Sequence, residues 1–86
     1  MLIPVREDLR QACQAITTPD ESALPSLAPE GTEARRAQLT ERAFWMQFDL
    51  AHNGLEARQC ARYLEVLGLI DAYNASAAAA AERWPR

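Results

Sequence analysis

The chain has 86 residues, of which 49 % are hydrophobic and 24 % charged, and its formal net charge at neutral pH is −3. This length gives a single domain with a modest core, and the ordinary balance of apolar and charged residues argues against disorder throughout. The acidic pI near 5.0 argues against generic affinity for nucleic acid or for an anionic membrane.

The N-terminal third predicts a short helix and then a linker. Apolar residues recur at helical spacing from about Val5 to Ile16, and Pro4 suits the first turn of that helix. Residues 17–32 contain three prolines and Gly31, which predicts a Pro-rich linker. A connection of this length is expected to be mobile, although two leucines could instead pin it to the rest of the domain, Leu24 and Leu27.

A second helix is predicted from Glu33 to His52. Thr32 precedes it and is a good N-cap residue, because its hydroxyl can accept a hydrogen bond from the first turn. Asn53-Gly54 should stop the helix, since Gly54 suits the left-handed backbone conformation that follows many helix ends.

The C-terminal part predicts one helix from about Leu55 to Leu67 and another from Ile70 to Arg83. The pattern mismatches at the junction, because a straight helix would place Asp71 on the apolar face and Leu69 on the polar one. A break or kink at Gly68 is therefore expected.

These elements predict an all-α fold, a small bundle of three to four helices. It is one domain over residues 1–86, with an N-terminal helical arm (1–16), a Pro-rich linker (17–32) and a helical core (33–86). All six aromatic residues lie after residue 43, so the later helices are expected to build the core. The N-terminal helix would then dock on that core or on a partner.

A search for catalytic groups finds one weak candidate set, Cys60, His52 and Asp49. His52 lies in the last turn of a helix, where a cation complements the helix dipole for purely structural reasons. Cys13 and Cys60 lie on apolar helical faces and are expected to be buried thiols. Zinc-ligand spacings and phosphate-binding glycine loops are absent from the sequence. We therefore expect no enzyme, no cofactor and no metal.

One segment leaves a nucleic-acid alternative open. Residues 61–70 (ARYLEVLGLI) resemble the end of the recognition helix in winged-helix regulators, and Arg58 and Arg62 would project beside it. The resemblance implies a helix-turn-helix DNA-binding regulator. However, an alanine-rich helical segment follows where a wing should begin, and Glu56 and Glu65 lie near the two arginines. We therefore expect no nucleic-acid partner.

The second helix carries two apolar stripes. At 100° per residue one stripe comprises Leu39, Ala43, Met46 and Leu50, and the other comprises Ala37, Phe44, Phe48 and Ala51. An ordinary surface helix has a narrower apolar arc. This helix is therefore either central in its own domain or shared with a partner, and the second case predicts a homodimer face at Phe44, Phe48 and Ala51.

Trp45 falls outside both stripes, among polar neighbours. Tryptophan is enriched among interface hot spots ringed by polar residues. This pattern predicts a partner-binding site at Trp45, Glu41, Asp49 and His52. The alternative is that the N-terminal helix or the linker covers Trp45.

The function predicted from these features is protein–protein interaction: an adaptor or inhibitor that occupies a surface on a larger protein, and that also forms a homodimer. All nine basic residues are arginine and alanine is abundant, a composition typical of GC-rich bacterial genomes and their phages. The longest apolar run is Ala77 to Ala81, and the chain start lacks the features of a signal peptide. We therefore expect a cytoplasmic protein that contacts no membrane.

Overall fold

Three α-helices make up the described part of the fold. The computed structural model describes residues 2–16 and 26–83, which contain α1 (Glu7–Gln14), α2 (Glu33–Asn53) and α3 (Ala57–Arg83) and no strand. The predicted all-α class is confirmed, and the arrangement is a small helical bundle. None of the helices in the described ranges is both long and apolar enough to cross a membrane.

The central helix is α3, because both α1 and α2 pack against it. α2 and α3 form an antiparallel hairpin closed by residues 54–56. Near the closed end, Gln47 donates a hydrogen bond to the hydroxyl of Tyr63 (3.2 Å), and toward the open end Arg35 and Tyr73 line one cavity. The α2 helix thus packs on only one side, which leaves its opposite face uncovered by α1 or α3.

Local signals set both ends of α2 where predicted, although Gly54 does not take the left-handed helical conformation expected of it. The Thr32 hydroxyl accepts a hydrogen bond from the backbone N–H of Arg35 (3.2 Å) and donates one to the carbonyl of Pro29 (2.7 Å). Gly54 follows the helix with φ +90° and ψ 171°, a conformation open essentially to glycine alone.

The expected break at Gly68 is wrong, because α3 runs without interruption through this glycine. The charge of Asp71 is accommodated by a contact from another helix. Both carboxylate oxygens of Asp71 accept hydrogen bonds from the guanidinium of Arg10 in α1, each 2.8 Å long. Leu69, in turn, packs partly buried against the core.

The N-terminal segment docks on α3. The amide side chain of Asn74 bonds the backbone of Ile3 in both directions, with Oδ1 accepting from the Ile3 N–H (2.7 Å) and Nδ2 donating to the Ile3 carbonyl (2.8 Å). α1 itself is shorter than predicted, since residues 2–6, including Pro4, precede it without helical structure. The acidic pair Glu7 and Asp8 opens its first turn.

The core is not built from the aromatic residues of the later helices, contrary to what their positions in the sequence suggested. The N-terminal segment contributes Ile3 and Cys13 to it, and Tyr63 is the one aromatic side chain that is fully buried among the described residues. The other buried residues are aliphatic or small: Leu39, Ala43, Leu50, Cys60, Val66, Leu67 and Ile70.

The predicted linker is described only in its second half. Residues 26–32 are not helical and turn at Glu30 and Gly31. Leu27 packs against the core, as its position suggested. Leu24 and the rest of residues 17–25, together with Trp84, lie outside the described residues.

Candidate protein-binding site

The outward side of α2 carries a group of exposed aromatic rings. Phe44 and Trp45 are each 58 % exposed, and Phe48 is 49 % exposed. His52, one turn after Phe48, is exposed as well. We call these four residues the aromatic face. Apolar surface of this kind is concentrated on one helix, and large exposed apolar patches on soluble proteins commonly mark binding sites.

The rings of the aromatic face contact one another in sequence. Phe44 and Trp45 meet edge to face with centroids 5.1 Å apart, and Trp45 and Phe48 do so at 6.1 Å. Phe48 stacks on the imidazole of His52 with centroids 4.1 Å apart. These contacts restrict the rotamers of the rings before any partner arrives, and so reduce the side-chain entropy that binding would cost.

His52 is fixed in place by the backbone as well as by Phe48. Its Nδ1 lies 2.8 Å from the carbonyl oxygen of Phe48. A carbonyl only accepts, so Nδ1 carries a proton and Nε2 is left for other contacts.

The two predicted sites, one for a partner and one for a dimer, lie on one continuous surface. Trp45 packs against Phe44 and Phe48 and does not stand apart among polar residues as expected. The stripe of Ala37, Phe44, Phe48 and Ala51 is exposed, whereas Leu39, Ala43 and Leu50 of the other stripe are buried against α3. The possibility that α2 is central in the domain is therefore wrong. The N-terminal helix does not cover Trp45 either.

Polar residues border the aromatic face on the Trp45 side. Glu41 and Arg42 line a shallow depression of about 340 Å³ together with Gln38, Trp45 and Met46. Asp49 accepts a hydrogen bond from the side chain of Asn53, one turn further on. All four residues of the predicted partner site thus lie on or beside the aromatic face.

The weak catalytic set is not assembled. Cys60 is fully buried in the core beside Cys13, and both are free thiols, while His52 is exposed at the end of α2. Burial, and a hydrogen bond with Cys60, raise the pKa of the Cys13 thiol to about 12. A thiol with such a pKa is protonated at neutral pH and is a poor nucleophile. No cluster of three or more metal-ligating side chains occurs within residues 2–16 and 26–83.

The surface predicted for DNA recognition in the alternative function carries both basic and acidic side chains. Arg58 is exposed and has an interaction partner, as does Glu65 beside it. Arg62 is half-buried, and its Nε has no hydrogen-bond partner. In place of a wing, the helical backbone continues to Arg83.

A second cavity of about 300 Å³ was not foreseen from the sequence. It lies between the turn at Glu30 and Gly31 and the C-terminal half of α3, where Leu69, Tyr73 and Ala77 form part of its wall. Arg35 stands at its edge, with its guanidinium bonded to the carbonyl of Ala28 (3.1 Å) and 3.9 Å from the carboxylate of Glu30. The contacts of this arginine thus stabilise the turn. Among the residues that line the cavity, Tyr73 is the one aromatic residue, so there is no aromatic cluster like that on α2.

No family model, curated protein or solved structure matches this chain.

Proposed function

We propose that this protein is a small, non-enzymatic interaction module, an adaptor or inhibitor that binds a larger protein through the aromatic face. The observation that carries the proposal is the exposure of three large aromatic side chains on one helix, each about half exposed or more. A few hot-spot residues supply most of the binding energy at protein interfaces, and tryptophan is enriched among them.

The polar surroundings of Trp45 support the same proposal. Glu41, Arg42 and Asp49 lie at the edge of the aromatic face, where a polar rim can exclude water from a central ring. The rings also hold one another in position, which lowers the entropy cost of association.

A homodimer formed through Phe44, Phe48 and Ala51 belongs to the same proposal. Because these residues adjoin Trp45 on one surface, a second copy and a larger protein would compete for it. The runner-up, a helix-turn-helix DNA-binding regulator, has less support, since Arg58 and Glu65 already have interaction partners. A cytoplasmic location and a bacterial or phage origin stay predictions from composition.

The substitution Trp45→Ala tests the proposed function. Wild-type protein used as bait in a lysate of the source organism should capture a partner protein, and the Trp45→Ala variant should not. Truncating a hot spot typically costs about 2 kcal/mol or more of binding free energy. Leu2→Ala is the matched control. Leu2 is a large apolar residue, 54 % exposed, that lies outside α2.

A stability measurement keeps this test interpretable. In protein dilute enough to be monomeric, Trp45→Ala and Phe48→Ala should each change the unfolding free energy by less than about 1 kcal/mol, because both side chains are about half exposed or more in the single chain. Leu39→Ala should cost about 2–5 kcal/mol, since Leu39 is buried. The proposal fails if Trp45→Ala retains the same captured proteins as the wild type, or if it unfolds the chain as severely as Leu39→Ala.

A further inference from the structure

The charges beside the aromatic face are arranged in a reciprocal order along α2. At 100° per residue, one edge of the face, seen from Phe48, is apolar and carries Ala37, Phe44 and Ala51. The other edge carries Trp45 and the ionisable groups. Along this edge an acid and a base, Glu41 and Arg42, precede Trp45, and an acid and a base, Asp49 and His52, follow it.

None of these four groups forms an ion pair with a described residue of its own chain. Arg6, Arg10, Arg35 and Arg36 each form an ion pair with a nearby carboxylate. Glu41 and Arg42 form none with any residue in the described part of the chain. They are therefore available to an approaching surface without loss of an existing pair.

A two-fold axis perpendicular to α2 matches these charges to one another. When two copies of the helix pack antiparallel, like edges meet, and residues that are equally far from the axis in opposite directions face each other. An axis near Met46 brings Arg42 opposite Asp49 of the second copy, and Glu41 opposite its His52. The same register brings Phe44 opposite Phe48 and buries the rings in the centre. Parallel pairing would instead bring the charged edge of each copy against the apolar edge of the other.

We propose that the aromatic face is the interface of a symmetric homodimer in which two α2 helices pack antiparallel, with reciprocal Arg42–Asp49 pairs at its edge. This inference rests on the proposed function in one respect, namely that the aromatic face binds protein. It adds the antiparallel orientation of the two copies and the charge pairs at their edge. It also implies that the dimer must dissociate before a larger protein can reach Trp45.

Charge-reversal variants test the pairing. Arg42→Glu and Asp49→Arg, each alone, bring like charges together at both symmetric positions. The dissociation constant of each variant dimer should therefore be roughly tenfold or more above that of the wild-type dimer. Sedimentation equilibrium at micromolar concentration measures this. An equimolar mixture of the two variants should recover dimers of near wild-type affinity, because each substituted position then meets an opposite charge on the other chain.

The mixture separates an interface effect from a folding effect. A variant that only damaged its own helix would not be rescued by mixing, and circular dichroism of each variant alone should match the wild type. Arg83→Glu is the control for net charge. It makes the same change as Arg42→Glu but lies at the exposed end of α3, and it should leave the dimer unchanged.

Three results would overturn the proposal. They are a wild-type protein that is monomeric throughout the micromolar range, single variants that dimerise like the wild type, and a mixture that stays monomeric. None of these affects the capture experiment with Trp45→Ala, so a failed homodimer and a failed interaction site are distinguished.

Discussion

Two glycines of this chain differ in whether their backbone conformation is open to other residues. Gly54 has φ +90° and ψ 171° at the end of α2, whereas Gly68 is helical and exposed in the middle of α3. A Cβ added at either position would meet no atom within 4 Å. The consequence of substitution is therefore decided by the backbone alone.

Alanine substitutions at these two glycines should have effects of opposite sign. Gly54→Ala should lower the free energy of unfolding by about 1–3 kcal/mol, because an L-residue is strained at that φ and ψ. Gly68→Ala should raise it by about 0.5–1 kcal/mol, since alanine loses less entropy in a helix. Urea denaturation of both variants measures the difference. A destabilised Gly68→Ala would indicate a bend in α3 that alanine cannot adopt.

The sizes of individual side chains on α2 explain why the candidate site was only partly predictable. Hydrophobic periodicity found both apolar stripes of α2, but it could not say which of the two faces α3. The buried stripe contains Ala43 and aliphatic residues, and small side chains allow two helices to approach closely. Phe44 and Phe48 would hold the helices further apart, so packing leaves them outside. Trp45 was found because it breaks the pattern of its neighbours.

Among the elements, α1 depends most on polar contacts for its position. Arg10 joins it to Asp71 of α3 by two hydrogen bonds, and this contact lowers the pKa of the Asp71 carboxyl below its ordinary value. The unfolded chain therefore binds a proton at Asp71 more readily than the folded chain does. The stability from this pair is complete above the ordinary carboxyl pKa of about 4 and is lost as the pH falls through the lower folded value.

Asp71→Asn should therefore destabilise the fold at pH 7 and have little effect near pH 2. The Asp71 side chain is 50 % exposed, so solvent screening limits the loss at pH 7 to about 1 kcal/mol or less. Urea denaturation at the two pH values measures it. Glu82→Gln is the control, an exposed carboxylate on the same helix, and it should show no such difference. A loss that is equal at both pH values would mean that the pair does not hold α1.

Element boundaries were predictable where local chemistry sets them and not elsewhere. α2 ends within one residue of its predicted limit, because Thr32 and Gly54 act through their own backbone neighbourhood. The partner that accommodates Asp71 on α3 is Arg10, which is 61 residues away from it in sequence. A helical pattern read along one segment contains no information about such a contact. The docking of Ile3 on Asn74 escaped prediction for the same reason.

At the scale of the whole molecule, the proposal of a protein partner and not a nucleic acid is supported by the distribution of aromatic surface and of charge. The described chain measures 43 × 26 × 22 Å and is built around α3 as a long central helix. Its exposed aromatic surface is confined to α2, while the formal net charge of the full sequence is −3. DNA recognition requires uncompensated cations over a continuous surface. On α3, Arg58 and Glu65 both have interaction partners.

We therefore expect no binding to duplex DNA at physiological salt. Proteins that hold DNA without sequence preference do so at about 10⁻⁴ to 10⁻⁶ M, through contacts of lysine and arginine with phosphates. Fluorescence anisotropy of a labelled duplex should stay flat up to the upper end of that range. Micromolar affinity that weakens steeply with added salt would contradict the prediction, and its loss in an Arg58→Ala, Arg62→Ala double variant would locate the site on α3. The Trp45→Ala variant should be indistinguishable from the wild type in this assay, because Glu41 and Asp49 compensate the charge of Arg42 beside Trp45 and leave no excess of cations there.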